Sequence, residues 1–314
     1  MPEILLAHVV QSAAAAGLSG ALLSVWGVRH PSVRLRFWLL ALILPAVLLP
    51  LFAIVAPVRA SVPFRQSAAL FVAARWTTLP IGSLRLGPVL AALIAALGLA
   101  LYLRDLVPAF RQGCRVRSHV GGGAPRGDEV ARRVAAHAKR LGVPVPRTSL
   151  VADDEAVYLC CRGVSSPSIV VSSGALEALS AEELDAALAH EVGHLAERHL
   201  AFGWGLIAIR SLLFFNPVAQ ILGRSAVLEM ERAADDISVD VTGRRASSSA
   251  LVKLGVLADG DGAILPGGLR LHIVKGRLER LSERGGAPEP NAPDGLMLAL
   301  AGAAAALLVF FVVA

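Results

Sequence analysis

Four stretches of this chain are long and apolar enough to cross a lipid bilayer, and they constrain the fold more than any other feature. Ile4–Val28, Phe37–Val58, Leu86–Leu103 and Leu296–Ala314 each hold close to the ~20 helical residues that a ~30 Å hydrocarbon core requires. In that solvent every backbone amide must be paired within the segment, so these stretches are expected to be helices. Composition agrees: of 314 residues, 55% are hydrophobic and 17% charged, and the mean hydropathy is +0.63, more apolar than a soluble domain needs. The first stretch has no basic start and is followed at once by a second, which favours a span over a cleaved leader.

Thirty basic residues face 24 acidic ones, but they cluster beside the apolar stretches and do not alternate with aromatics. That pattern speaks for lipid contact and against a nucleic-acid partner. Arg29, Arg34 and Arg36 follow the first span, and Arg104, Arg111, Arg115 and Arg117 follow the third. Both flanks are of the kind retained in the cytoplasm, which places the loop from Arg59 to Arg85 outside, against the weight of its own four arginines. Cys114, Cys160 and Cys161 have no CxxC spacing, so neither a disulfide framework nor a thiolate metal knuckle is expected.

The expected organisation is a membrane region over residues 1–110, a Gly-rich hinge over 111–127, one α+β domain over 128–286, and a Pro-rich linker with the last span over 287–314. Asp128–Leu141 reads as an amphipathic helix, with Val130 and Val134 on its apolar side. Thr148–Ala152, Val157–Cys161 and Ser168–Ser172 read as strands of a small antiparallel sheet. Ser180 followed by Glu183 is a capping box, opening a helix through about His199. A further helix is expected over Ala226–Val241. Leu271, Val274, Leu278 and Leu281 mark a basic helix that lies on its own domain or on a membrane surface.

The chemistry concentrates in His190-Glu191-Val192-Gly193-His194, inside the capped helix. Histidines four apart share a helix face and can hold one metal ion, while Glu191 between them is placed as general base toward water on that ion. Catalytic zinc takes three protein ligands and keeps one position open. On the next helix Glu231 is the expected third ligand, with Glu229 as its rival. Asp235, one turn later, is suited to accept the free ring N–H of a ligating histidine. His199 and Arg232 are candidate donors to a developing oxyanion. Ser168, Ile169, Val170, Val171 and Ser172 are the expected edge strand on which an extended peptide substrate would pair.

These residues carry a resemblance. The helix start Ser180-Ala-Glu-Glu-Leu-Asp-Ala-Ala-Leu-Ala before the motif, and the preceding Ser168-Ile-Val-Val-Ser-Ser-Gly-Ala-Leu, resemble the membrane gluzincins. Phe215-Asn216-Pro217, the run from Glu231 to Asp236 and the four-span layout are similar to the BlaR/MecR type of signal-transducing peptidase. Gly193 within the motif is equally similar to the HtpX type of quality-control peptidase. The resemblance implies a mainly α, multi-span membrane protein with an embedded α+β HExxH metallopeptidase domain. It implies Zn2+ on His190, His194 and Glu231, with Glu191 catalytic, and a protein substrate such as a transcriptional repressor. The setting it implies is a bacterial-type plasma membrane with the peptidase domain facing the cytoplasm. The β-lactam receptors of the first type continue into a sensor domain after the last span; this sequence does not, so β-lactam sensing by that route is not expected.

One further apolar stretch, Leu200–Leu222, is not expected to cross the membrane. A crossing would carry Glu231 to the side opposite His190 and His194. The segment is expected to bend back near Asn216-Pro217 or to lie on the surface.

Overall fold

A computed structural model describes residues 2–81, 84–118, 125–152, 157–257, 267–283 and 294–313. In chain order the elements are α1 (Pro2–Val25), α2 (Pro31–Val55), β1 (Phe71–Val72), α3 (Ala73–Thr77), β2 (Pro80–Ile81), β3 (Leu84–Arg85), α4 (Leu86–Ser118) and α5 (Pro125–Arg140). There follow β4 (Arg147–Val151), β5 (Leu159–Arg162), β6 (Ser168–Ser172), α6 (Ser173–Ala178), α7 (Ala181–Ala196) and α8 (His199–Leu212). The chain ends with α9 (Pro217–Thr242), α10 (Arg244–Leu257), α11 (Gly267–Glu283), α12 (Asp294–Phe310) and β7 (Val312–Val313). The protein is mainly α, and it divides into two compact units: Met1–Leu103 with Leu206–Glu229 and Pro288–Ala314, and Arg104–Gly205 with Met230–Ala287. Part of the expected hinge (119–124), most of the expected linker (287–293) and the side chain of Cys114 lie outside the described residues.

In the first unit α1, α2 and the start of α4 are, among the described residues, the three helices long and apolar enough to cross a membrane. Their outward faces carry Ile43, Val47, Leu51, Leu93 and Leu97, large apolar side chains left exposed as lipid contact requires. The fourth expected span is shorter than its sequence suggested. The apolar helix covers Gly295–Phe310, which at 1.5 Å per residue reaches only about 24 Å. The chain then extends as β7, parallel to β1. The last carbonyl of α12 accepts from Arg59 Nε at Phe310 O (2.8 Å), and in β7 Val312 O accepts from Arg59 Nη2 and Gln11 Nε2 (both 2.8 Å).

The stretch from 200 to 222 is a helical hairpin, bent at Leu213–Asn216 between α8 and α9. Asn216 is fully buried, and its Oδ1 caps α9 by accepting from Val218 N (2.9 Å) and Ala219 N (3.2 Å). Pro217 at the first helical position needs no such partner. Asn216 Nδ2 donates to His8 Nδ1 and Ser12 Oγ, both at 2.9 Å, which ties the tip to α1. The close approach of Phe215 to α4 needs Gly98, because a Cβ there would stand 2.5 Å from the Phe215 carbonyl.

In the second unit a three-stranded sheet has the order β4-β6-β5. It is mixed, a correction to the all-antiparallel expectation. β5 and β6 form a hairpin across a turn with Gly163 at φ 84°, whereas β4 lies parallel to β6 on its other side. Strand β6 is therefore central, and Ile169, Val170 and Val171 are buried. Val130, Val134, Ile169, Val171, Leu184, Leu188 and Val192 form the core between sheet, α5 and α7, each full burial stabilising by roughly 1.5–3 kcal/mol. Helix α7 opens with the reciprocal capping box of Ser180 and Glu183. It stops three residues earlier than expected: Arg198 turns into the left-handed region (φ 56°), and His199 begins α8.

Candidate metal centre

The geometry of α7 sets the first half of the centre. Its apolar face (Leu184, Leu188, Val192) is buried in the core, so the residues a third of a turn away look off the core. His190 and His194 lie there, with rings at 82° and Nε2 atoms 3.2 Å apart. Helix α9 supplies the second half. Glu231 Oε2 is 3.5 Å from His190 Nε2, and Glu231 Oε1 is 3.5 Å from His194 Nε2.

Three donors around a tetrahedral ion at ~2.0–2.1 Å stand about 3.3 Å from one another. His190 Nε2 and His194 Nε2, 3.2 Å apart, fit that spacing, and Glu231 turns one carboxylate oxygen to each of them at 3.5 Å; with one donor atom per residue the three lie within 4.8 Å of one another. Two imidazole nitrogens turned on one point repel unless a proton or a cation lies between them. Two nitrogens and a carboxylate suit a borderline divalent metal such as zinc. The Glu231 side chain keeps 30% of its surface exposed.

The outer partners orient this set. His190 Nδ1 is 3.1 Å from Asp235 Oδ1, which fixes the ring with Nε2 turned toward the other donor atoms. His194 Nδ1 is 2.9 Å from Nδ1 of the buried His199. His199 thus stands behind His194, a correction to the expectation that it faces an oxyanion; the break between α7 and α8 folds it back there. Arg232 follows Glu231 on α9 and is half-buried. Glu229, the rival ligand, is buried against Arg34 Nε at 2.8 Å within the first unit and is not in the donor group.

Glu191 Oε2 accepts from the backbone N–H of Cys161 at 2.7 Å. In the antiparallel register Cys160 and Arg162 turn toward β6, so the peptide groups of Cys161 face outward, on the side of β5 that pairs with no other described strand. The strand beside the centre is therefore β5. Ser168–Ser172, expected as the substrate edge, lies inside the sheet with partners on both sides. Its near-continuous apolar sequence is that of a strand buried on both faces.

Among the side chains alone, charge separates sharply. Burial pulls the His190 imidazole down, but its hydrogen bonds to Asp235 and Glu231 reverse this and lift it to about 10. Burial lowers His194 to about 3. Burial raises Glu191 above the ordinary carboxylate range. It would also raise Glu231 and Asp235, yet Arg277 and the histidines hold both well below that range. Burial raises the Cys160 thiol to about 12 and the Cys161 thiol further, so neither is a nucleophile at neutral pH.

Two groups escaped sequence reasoning. Arg277, on the basic helix α11, contacts both Asp235 and Glu231; the signal was a basic residue within the apolar register of Val274, Leu278 and Leu281. The free edge of β5 became legible only with strand order.

Fold and centre together define a mainly α membrane protein whose α+β unit carries an HExxH helix and a three-donor group. Residues 129–278 match the family described as BlaR1 peptidase M56, so the BlaR/MecR resemblance holds over the unit that contains the centre. The chain is also 33% identical over 66 residues to Protease HtpX of Idiomarina loihiensis, a stretch covering 21% of this chain and 23% of that protein. This chain therefore spans under a quarter of the curated relative it matches.

Proposed function

We propose that this protein is a zinc-dependent endopeptidase of a bacterial-type plasma membrane, with the peptidase unit on the cytoplasmic face. The observation that carries the reading is the convergence of His190, His194 and Glu231, whose donor atoms lie within 4.8 Å of one another, with Glu191 beside them. The ligands are His190, His194 and Glu231, Asp235 orients His190, and Glu191 is the general base. Bound there, zinc supplies Lewis acidity that activates water and polarises the scissile carbonyl. Glu191, its basicity raised by burial and its carboxylate steered by the Cys161 N–H, takes the proton of the attacking water at one oxygen. The same carboxylate returns a proton to the leaving amine nitrogen. An extended substrate pairs along the free edge of β5, where backbone contacts favour chain direction over side-chain identity. The hairpin of α8 and α9 enters and leaves the membrane on one face, so Glu231 and the histidines stay together.

The match to the BlaR1 peptidase family favours cleavage of a regulatory protein such as a transcriptional repressor. The likeness to Protease HtpX favours a second reading, clearance of damaged membrane proteins. A non-catalytic scaffold is the third, and it has no use for a buried carboxylate beside the donors. The test is metal analysis of the purified full chain, with Glu191→Gln and Glu231→Ala. Glu191→Gln should keep its metal and lose roughly 10²–10⁴-fold in peptide hydrolysis, whereas Glu231→Ala should lose metal. Undiminished zinc in Glu231→Ala would move the third ligand elsewhere, and wild-type hydrolysis by Glu191→Gln would remove the base. Cleavage of a co-encoded repressor, as against general cleavage of casein, separates the first two readings.

A further inference from the structure

Arg277 comes from α11, more than forty residues along the chain from the carboxylates it meets. Its Nε is 2.7 Å from Asp235 Oδ2, its Nη2 is 2.6 Å from Asp235 Oδ1, and its Nη1 is 3.0 Å from Glu231 Oε2. All three guanidinium nitrogens are committed, and only 11% of the side chain remains exposed. The two oxygens that Nη2 and Nη1 meet are the ones turned toward His190: Asp235 Oδ1 faces its Nδ1, and Glu231 Oε2 faces its Nε2.

From this geometry we infer that Arg277 is a positioning residue of the metal centre, one planar cation that sets a ligand carboxylate and the carboxylate orienting a ligand histidine. The inference rests on the zinc reading above. Charge supports it. Glu191, Glu231 and Asp235 bring three carboxylates into one small volume beside two imidazoles. A divalent cation balances two, and Arg277 balances the third, so the loaded centre is neutral. Buried charge left uncompensated is costly, and a fork that meets two carboxylates at fixed spacing is available to Arg and not to Lys. Helix α11 does not depend on this contact alone: Arg280, one turn on, makes its own fork to Asp236 with both contacts at 2.7 Å, and Leu281 is buried.

Arg280 therefore provides the control. In the full chain in detergent, zinc affinity is measured by competition with a chromogenic chelator, beside thermal melting. Arg277→Gln should weaken zinc binding about 10- to 100-fold, the usual cost of losing an outer partner. Arg280→Gln should lower the melting temperature comparably while holding zinc within about threefold of wild type. Arg277→Lys, which keeps the charge without the fork, should fall between Gln and wild type. Because Arg277 acts partly through Asp235 and partly through Glu231, the double variant Arg277→Gln with Asp235→Asn should lose less than the product of the two single losses. Wild-type zinc affinity in Arg277→Gln, equal zinc loss in Arg280→Gln, or multiplying losses in the double variant would each overturn the inference. If Arg277→Gln does not fold, Arg277→Lys decides: weakened zinc binding supports the assignment and unchanged binding refutes it. A wild-type chain that binds no zinc would instead sink the zinc reading, before any variant is compared.

Discussion

Gly193, between His190 and His194, is where the spacing of the centre can be tested by one methyl group. A Cβ placed there would meet Ile237 at 3.3 Å from Cβ, 3.3 Å from Cγ2 and 3.4 Å from Cδ1. Comfortable carbon contacts lie at about 3.5–4.0 Å, and the Ile237 Cβ cannot rotate out of the way. In Gly193→Ala, α9 must therefore back off from α7 by several tenths of an ångström, taking Glu231 with it. The overpacking costs about 1–3 kcal/mol, and the better helix propensity of alanine offsets about 1 kcal/mol. The expected net loss of stability is about 1 kcal/mol. The contacts of the two Glu231 oxygens with His190 and His194, each 3.5 Å, should lengthen toward about 3.9 Å if contact distances are restored. Zinc affinity should then fall roughly tenfold, at the low end of what outer perturbations of metal sites cost. Thermal melting in detergent with and without zinc, together with chelator competition, reads both quantities. A Gly193→Ala variant that melts higher than wild type and holds zinc as tightly would refute the claim that a bare backbone here sets the distance between the two helices.

Glu183 is only 9% exposed and accepts from Lys253 Nζ (2.6 Å), Ser249 Oγ (2.6 Å) and its capping partner Ser180 N (2.7 Å). The hydrogen bond from Lys253, then that from Ser249, holds its carboxyl at about 2, below the ordinary 4.5. A depressed folded value means stability present above pH 4.5 and lost as pH falls toward 2. With the Lys253 end 39% exposed and screened by water, the loss should be about 1 kcal/mol. Denaturant titrations at pH 5 and pH 2.5 should show it in wild type and a much flatter response in Lys253→Met; equal slopes would refute the pairing. At the hairpin tip, Asn216→Leu removes the cap of α9 and leaves His8 and Ser12 without their amide donor. A loss of about 2–4 kcal/mol is expected in thermal or denaturant unfolding; an unchanged midpoint would mean that the tip is not held by this network.

Much of the protein was legible from residue order because its determinants are local. Three spans announce themselves because lipid tolerates few other residues over that length. The motif on α7 needed only a helix period and the capping box at Ser180 to put His190 and His194 on one face. Connectivity logic excluded a simple crossing by Leu200–Leu222 and left a hairpin or a surface helix; the structure gives the hairpin, with Asn216-Pro217 as the local chemistry of its turn. Tertiary structure decided what depends on partners distant in sequence. Strand order made Ser168–Ser172 interior and left β5 at the edge, because a period-two pattern records which face is buried and not which neighbour pairs. The left-handed Arg198 ended α7 early and sent His199 behind His194. Tertiary structure put Glu231 and not Glu229 beside the two histidines, Glu229 being paired with Arg34 instead. Arg277 could be assigned only once α11 was docked: a guanidinium reads alike in sequence whether it is solvated or buried against two carboxylates. Periodicity and capping act within a few residues and are written in the chain, whereas the meeting of α7, α9 and α11 at one point depends on packing summed over the whole unit.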